Sequence, residues 1–178
     1  MKSILRGAAA VLVLAAASFS AHAQQSASDS GSASVTVIRP ISVAKNADLA
    51  FGTLVRGNGT ATVSTAGARS VTGDVQALAS TTPTNAQFTI SGEGGQSITV
   101  TIPATISLNN TTSGATGSLT VNTSNDLSGA AGSQVLSGAL GQAANGTLVV
   151  KVGGTVALTD TTNTGVYTGS FTVAANYN

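Results

Sequence analysis

No apolar stripe of period 3.6 persists through three helical turns anywhere in this chain, whereas a period of two recurs from end to end. In "AQFTISGEGGQSITVTIP", Phe88 and Ile90 alternate with polar neighbours and "GEGG" interrupts. Ile98, Val100 and Ile102 then alternate again, which predicts a hairpin. The C-terminal "GVYTGSFTVAANYN" is the most regular case. Tyr167, Gly169, Phe171, Val173, Ala175 and Tyr177 share one face of a predicted strand, and Thr168, Ser170, Thr172, Ala174 and Asn176 share the other. "ADLAFGTLV" (Ala47 to Val55), "ATVST", "RSVTGDVQAL" (Arg69 to Leu78), "SLTVN" and "QVLSGAL" also read as strands, and "ANGTLVVKVGGTVAL" reads as two strands around Gly153-Gly154. Roughly nine or more short strands with frequent turns predict an all-β sandwich with Greek-key connections, in one domain without a fixed internal repeat.

The first residues have the form of an export signal. Lys2 and Arg6 precede the apolar run Ala8 to Phe19, and Ala21-His22-Ala23 offers the small-x-small pattern at which Ala21 and Ala23 direct cleavage. The apolar run falls short of the ~20 residues that span a bilayer, so a retained membrane anchor is not expected. Residues 1–23 are therefore read as a signal peptide, and the mature chain as one that leaves the cytoplasm. The whole chain carries 7 Lys and Arg against 6 Asp and Glu; removing Lys2 and Arg6 leaves 5 against 6, a net charge of −1. The mature chain holds no Cys, His, Met or Trp, so no disulfide braces it and a Val/Leu/Ile core with hydrogen-bonded sheet must suffice.

The same inventory narrows the chemistry. Without imidazole or thiol, Ser-His and Cys-His catalysis is excluded, and zinc lacks its usual ligands. The acids Asp29, Asp48, Asp74, Glu93, Asp126 and Asp160 are scattered singly and read as solvated turn residues. Asp74 and Glu93 are the one pair weighed as glycosidase carboxylates, but aromatic sugar platforms are lacking. "NTSNDLSG" (Asn122 to Gly129) matches no calcium-loop spacing and reads as a polar turn. No basic patch points to nucleic acid. The expectation is a protein that is not an enzyme, with no cofactor and no metal.

The segment "SASDSGSASVTVIRPISV" (Ser26 to Val43) separates into a Ser/Thr column and a column of small and apolar residues, then meets Pro40. Proline donates no ladder hydrogen bond, so it divides an extension, residues 24–38, from a domain whose first strand starts near Ile41. Two readings stand. In one, Gln24 to Ser32 is a Ser-rich linker and Ala33 to Val43 a single kinked edge strand. In the other, the extension is a strand made for another molecule's sheet, with Ala27, Gly31, Ala33, Val35 and Val37 as the inward column.

"LAFGTLV" (Leu49 to Val55), following a proline-containing strand, resembles the signature near the start of spore coat protein U-like pilins, the archaic class of chaperone–usher pilins. "GVYTGSFTVAANYN", with Gly165 and the penultimate Tyr177, is similar to their C-terminal pattern. "FTISGEGGQSITVTIP" and "KVGGTVAL" also resemble a related proteobacterial secreted family whose domain has no assigned function. The resemblance implies an incomplete immunoglobulin-like β-sandwich over residues 39–178, lacking one strand, with residues 24–38 as donor-strand extension. It implies Ala27 to Val37 as donor, and Phe51, Phe171, Val173 and Tyr177 flanking an acceptor groove. It further implies a head-to-tail homopolymer, a periplasmic chaperone, an outer-membrane usher, and a surface fimbria serving adhesion or biofilm formation. Those pilins often carry cysteines and this chain has none. The alternative is a self-complete secreted β-sandwich, an adhesin or carbohydrate-binding module.

Overall fold

The computed structural model describes residues 26–128 and 132–178, so the expected export signal, with Ala21 and Ala23, and the first residues of the expected extension, Gln24 and Gln25, lie outside the described residues. The chain divides into two compact units, residues 1–35 and 36–178. In the first, Ser26 to Val35 form no strand and are exposed throughout. The second carries the strands β1 (Ser42–Ala47), β2 (Leu54–Val55), β3 (Gly59–Val63), β4 (Arg69–Val71), β5 (Gln76–Ala77), β6 (Ala86–Gly92) and β7 (Ser97–Thr101). It continues with β8 (Thr105–Asn110), β9 (Ser118–Asn125), β10 (Ser133–Val135), β11 (Gly146–Leu158), β12 (Tyr167–Thr168) and β13 (Ala174–Tyr177). No helix occurs among the described residues. The architecture is an all-β sandwich.

The larger sheet runs in the order β1-β6-β11-β9-β8-β12, with β3 and β4 joined to it through β11; the smaller runs β10-β7-β13, and β2 with β5 forms a short ribbon. β11 is the axis of the larger sheet. Along one edge it pairs with β6 from Gly146 to Val152 and then with β3 from Gly154 to Leu158. Along the other edge it pairs with β9 from Val152 to Val156. The expected break at Gly153-Gly154 does not exist, because the glycines lie inside one 13-residue strand. They mark the point where its partner changes from β6 to β3, and neighbours crowd that point. A Cβ on Gly154 would stand 2.6 Å from Val121 Cγ1 and 3.3 Å from Leu49 Cδ2.

The expected hairpin around "GEGG" is also corrected. β6 pairs with β1 and β11, whereas β7 pairs with β10 and β13, so the turn carries the chain from one sheet to the other. Face-to-face placement sets Phe88 and Ile90 against Ile98 and Val100 in one core. Side-by-side pairing would leave all four in a single layer with nothing over them. The C-terminal segment likewise changes sheet. β12 pairs with β8 and β13 with β7, although Phe171, Val173, Ala175 and Tyr177 still turn inward and Thr172, Ala174 and Asn176 outward. Ala47 to Val55 is not one strand either: it ends β1, makes a bridge at Ala50, and resumes as β2. Arg69 to Leu78 splits into β4 and β5. Asn122 to Asn125, expected in a polar turn, completes β9.

Burial resolves into two clusters. The first holds Ala86, Phe88, Ile90, Val150 and Val152 of the larger sheet against Ile98, Val100, Leu136 and Val173, so both layers contribute. The second holds Ala61, Ile106, Val121, Val156 and Leu158, all from the larger sheet, together with Val75. Opposite them lie Leu49, Phe51, Leu54 and Phe171, of which only Leu54 belongs to a strand, the two-residue β2. Each fully buried aliphatic side chain contributes about 1.5–3 kcal/mol, so the second cluster is a substantial core under an irregular cover.

Replacing Gly154 with Val should lower the unfolding free energy by about 2 kcal/mol or more, read as a fall in the urea midpoint at unchanged slope. Gly31→Ala, where open space surrounds the Cβ position, should stay within about 0.5 kcal/mol of the parent. Coincident midpoints for the two variants would show that β11 has room to spare at its partner change.

Candidate functional site

Above the second cluster lies a cavity of about 780 Å³ whose lining includes Leu49, Phe51, Leu54, Ile106, Leu108, Val156, Leu158 and Phe171. A smaller cavity of about 260 Å³ adjoins it and shares Leu49, Gly169 and Phe171, then reaches Ala86 and Phe88. Together they form a groove alongside β11 from Leu158 to the level of Val150, the partner of Phe88. At ~3.3 Å per residue this is about 26 Å, the span of roughly eight extended residues.

Two segments wall the groove, and neither has a ladder partner on the groove side. On one side Ala50 exchanges both backbone hydrogen bonds with Thr84, each 2.9 Å. Strand geometry therefore turns the backbone of Leu49 and Phe51 away from Thr84, where the Phe51 carbonyl is taken by Arg69 Nη1. Among the described residues the Phe51 N–H has no partner. On the other side Gly169 to Val173 leave the β8 ladder before joining that of β7. Phe171 spans both clusters and meets Phe88 edge to face, ring centres 5.7 Å apart.

Arg69 holds the first wall in place. Its Nη1 donates to the Phe51 carbonyl at 2.7 Å and its Nη2 to the Leu78 carbonyl at 2.8 Å. Gly52 has φ +73°, and a Cβ there would stand 2.5 Å from Arg69 Nη1 and 2.7 Å from Thr81 Oγ1. Only glycine permits both that bend and that approach. The Phe-Gly pair therefore has a tertiary cause: Phe51 lines the cavity while Gly52 lets the guanidinium close behind it.

A second polar cluster lies at the opposite end of β11, where Gly146 pairs with Gly92. Glu93 is 4% exposed. Its Oε1 accepts from the Gly141 N–H at 2.7 Å and its Oε2 from the Arg39 N–H at 3.3 Å. The Tyr177 hydroxyl accepts from the Glu93 N–H at 2.7 Å and donates to the Arg39 carbonyl at 2.9 Å. The Arg39 guanidinium donates to the carbonyls of Gln142 at 2.6 Å, Ala143 at 3.2 Å and Ala144 at 2.9 Å. This clamp joins the start of the sandwich to its last strand and to the loop before β11.

The residues expected to flank a groove thus separate. Phe51 and Phe171 line the cavity, Val173 is buried in the first cluster, and Tyr177 belongs to the clamp. Of the inward column, Ala27, Gly31, Ala33, Val35 and Val37 are all exposed, Val35 at 86% and Val37 at 81%. Glu93 is not the solvated turn acid expected of it, because backbone amides and a tyrosine enclose it. Asp74 lies beside Asn58 at the other end of the sheet, its N–H bonded to the Asn58 carbonyl, so the two carboxylates do not share a site. Retaining and inverting pairs need separations of about 5–10 Å. Reading the sequence passes over Arg39 and Arg69. The only available signal is that they are two of just five cations after residue 23.

Fold and groove together define an antiparallel β-sandwich whose second layer covers half of the first. The chain belongs to the DUF4402 family, a domain of unknown function, whose model matches residues 41–177. That match begins just after Pro40 and includes every strand from β1 to β13. No curated protein and no solved structure matches the chain.

Replacing Arg69 with Met keeps the aliphatic stem and removes both donors to the wall. Hydrogen bonds from a charged group are worth about 1.5–3 kcal/mol each, less for the exposed one to Leu78, so a loss of roughly 2–4 kcal/mol should appear in urea denaturation. Arg69→Lys should recover part of it. A midpoint unchanged by Arg69→Met would mean that the Phe51 wall holds without the guanidinium.

Proposed function

We propose that this protein is a structural fibre subunit that polymerises head to tail by donor-strand exchange, the extension of one copy filling the groove of the next. The observation that carries this reading is the half-covered core. Four strand residues of the second cluster, Ile106, Val121, Val156 and Leu158, line a largely apolar groove where the sandwich needs another strand, and the wall beside it includes the Phe51 N–H, which has no partner among the described residues. Leaving such groups without partners costs free energy that an added strand recovers.

The extension has the matching properties. Ser26 to Val35 form no strand, and the apolar column Ala33, Val35 and Val37 stands in solvent beside a Ser/Thr column. About eight residues fit the groove, the length of Ser30 to Val37. Position supports a filament over a closed ring. Arg39, the root of the extension, sits at the Gly146 end of β11, while the larger cavity sits at the Leu158 end, about 40 Å away at ~3.3 Å per residue. Contact between unlike ends of successive copies is heterologous and need not close on itself.

The resemblance to spore coat protein U-like pilins supplies the route. The chain is exported by its signal, a periplasmic chaperone fills the groove in transit, and an outer-membrane usher exchanges that strand for the next subunit's extension. The product is a surface fimbria with a role in adhesion or biofilm formation. Subunits so joined owe their persistence to slow strand loss, because removing the donor uncovers the whole groove at once.

Mature protein should form SDS-resistant ladders that collapse on boiling. Protein lacking Gln24 to Ile38 should form none, and a synthetic Ser26 to Ile38 peptide should restore its thermal stability. The same peptide carrying Val35→Asp and Val37→Asp should fail to do so. A truncated chain that is a stable monomer, indifferent to the peptide, would overturn the proposal in favour of a self-complete binding module.

A further inference from the structure

Strand donation raises a question: what would keep an extension from filling its own groove. Length does not forbid it. From Arg39 the groove begins about 13 Å along β11, at the level of Val150, and ends about 40 Å along it, at Leu158. Residues 24–38 span about 50 Å when extended. What self-insertion requires is a reversal. β1 leaves Pro40 towards the groove, running from Ser42 opposite Ser91 to Ala47 opposite Gln87. The extension would have to fold back beside it through a tight turn at Ile38 to Ile41.

Both backbone groups of Arg39, inside such a turn, are held. The Arg39 N–H bonds to the Glu93 carboxylate, its carbonyl to the Tyr177 hydroxyl, and its side chain to the loop carbonyls of Gln142, Ala143 and Ala144. Pro40 removes the next donor and disfavours the helical conformation at Arg39 that most tight turns need. The carboxylate that holds the amide is itself buried and fixed by Gly141. Immediately before the clamp, Val37 is 81% exposed. We infer that the Arg39–Glu93–Tyr177 clamp bars the extension from its own groove and so commits the strand to a second copy of this chain. The inference rests on the strand-donation reading and adds to it a device that selects polymer over self-complemented monomer. Arg39, Glu93 and Tyr177 are positioning residues: they line neither cavity.

The test compares three forms of the full mature chain at high dilution: unaltered, Arg39→Ala with Tyr177→Phe, and a clamp-intact form with Gly-Ser-Gly-Ser inserted between Ile38 and Arg39. The insertion supplies slack on the far side of the clamp and leaves the sandwich sequence untouched, so it tests the idea even where the double variant fails to fold. Unboiled gel electrophoresis reads the polymer, and amide exchange at Val35 and Val37 reads the donor segment in the monomer fraction. The unaltered chain should give ladders, with free-peptide exchange in any remaining monomer. Both altered forms should shift towards a monomer in which those two amides slow by about 100-fold or more. Ladders in unchanged proportion from both altered forms, with donor amides still exchanging freely, would overturn the clamp inference alone. Absence of ladders from all three, with free extensions throughout, would remove strand donation and the clamp's role with it.

Discussion

The molecule is organised by the length of one strand. β11 extends through 13 residues and takes β6, β3 and β9 as partners, whereas the strands of the facing sheet, β10, β7 and β13, run 3, 5 and 4 residues. A long sheet facing a short one can be covered only in part. The Gly146 half of β11 closes into a two-layer core around Ile90, Ile98 and Val150, and the Leu158 half is left with loops and a groove. The proposed function builds on that mismatch, because the uncovered half leaves a groove about 26 Å long beside β11.

The two polar clusters are placed at the two ends of the mismatch. Arg69 sits at the groove end and fixes the Phe51 wall, so the groove keeps its shape without a strand inside it. Arg39, Glu93 and Tyr177 sit at the closed end and hold the root of the extension. A chain without cysteine has no covalent means of fixing either feature, and in both places a guanidinium bonded to several backbone carbonyls serves instead. Arginine suits this task because its planar, permanently charged head presents several donors in fixed directions.

Much of the strand content is legible in the alternation of residues, and the inward face of the last segment is read correctly from Phe171 to Tyr177. Pairing is not legible. The alternation of Phe88 and Ile90 with polar neighbours, and of Ile98 and Val100 with theirs, is the same whether the two strands lie side by side or face to face. Gly153-Gly154 looks like a turn in sequence, yet it serves a strand interior where β3, β9 and Leu49 leave no space for a side chain. Phe51 and Gly52 announce themselves as a motif, but the reason for the glycine lies in Arg69 and Thr81, which are distant in sequence. Glu93 looked like a turn acid because nothing local reveals that Tyr177 and Gly141 will enclose it.

Local order thus settled the class of structure, an all-β chain, and set the expectations of an export signal at its start and a Ser-rich extension set off by Pro40. Those features depend on residues adjacent in the chain, through strand period, proline geometry and composition. Tertiary structure alone decided which strands share a sheet, that half of the larger sheet lacks a regular strand layer above it, and that Val173 and Tyr177 belong to the closed end while Phe51 and Phe171 line the open one. These depend on how far each sheet extends over the other, which is set by contacts between segments far apart in sequence and leaves no mark on any one of them.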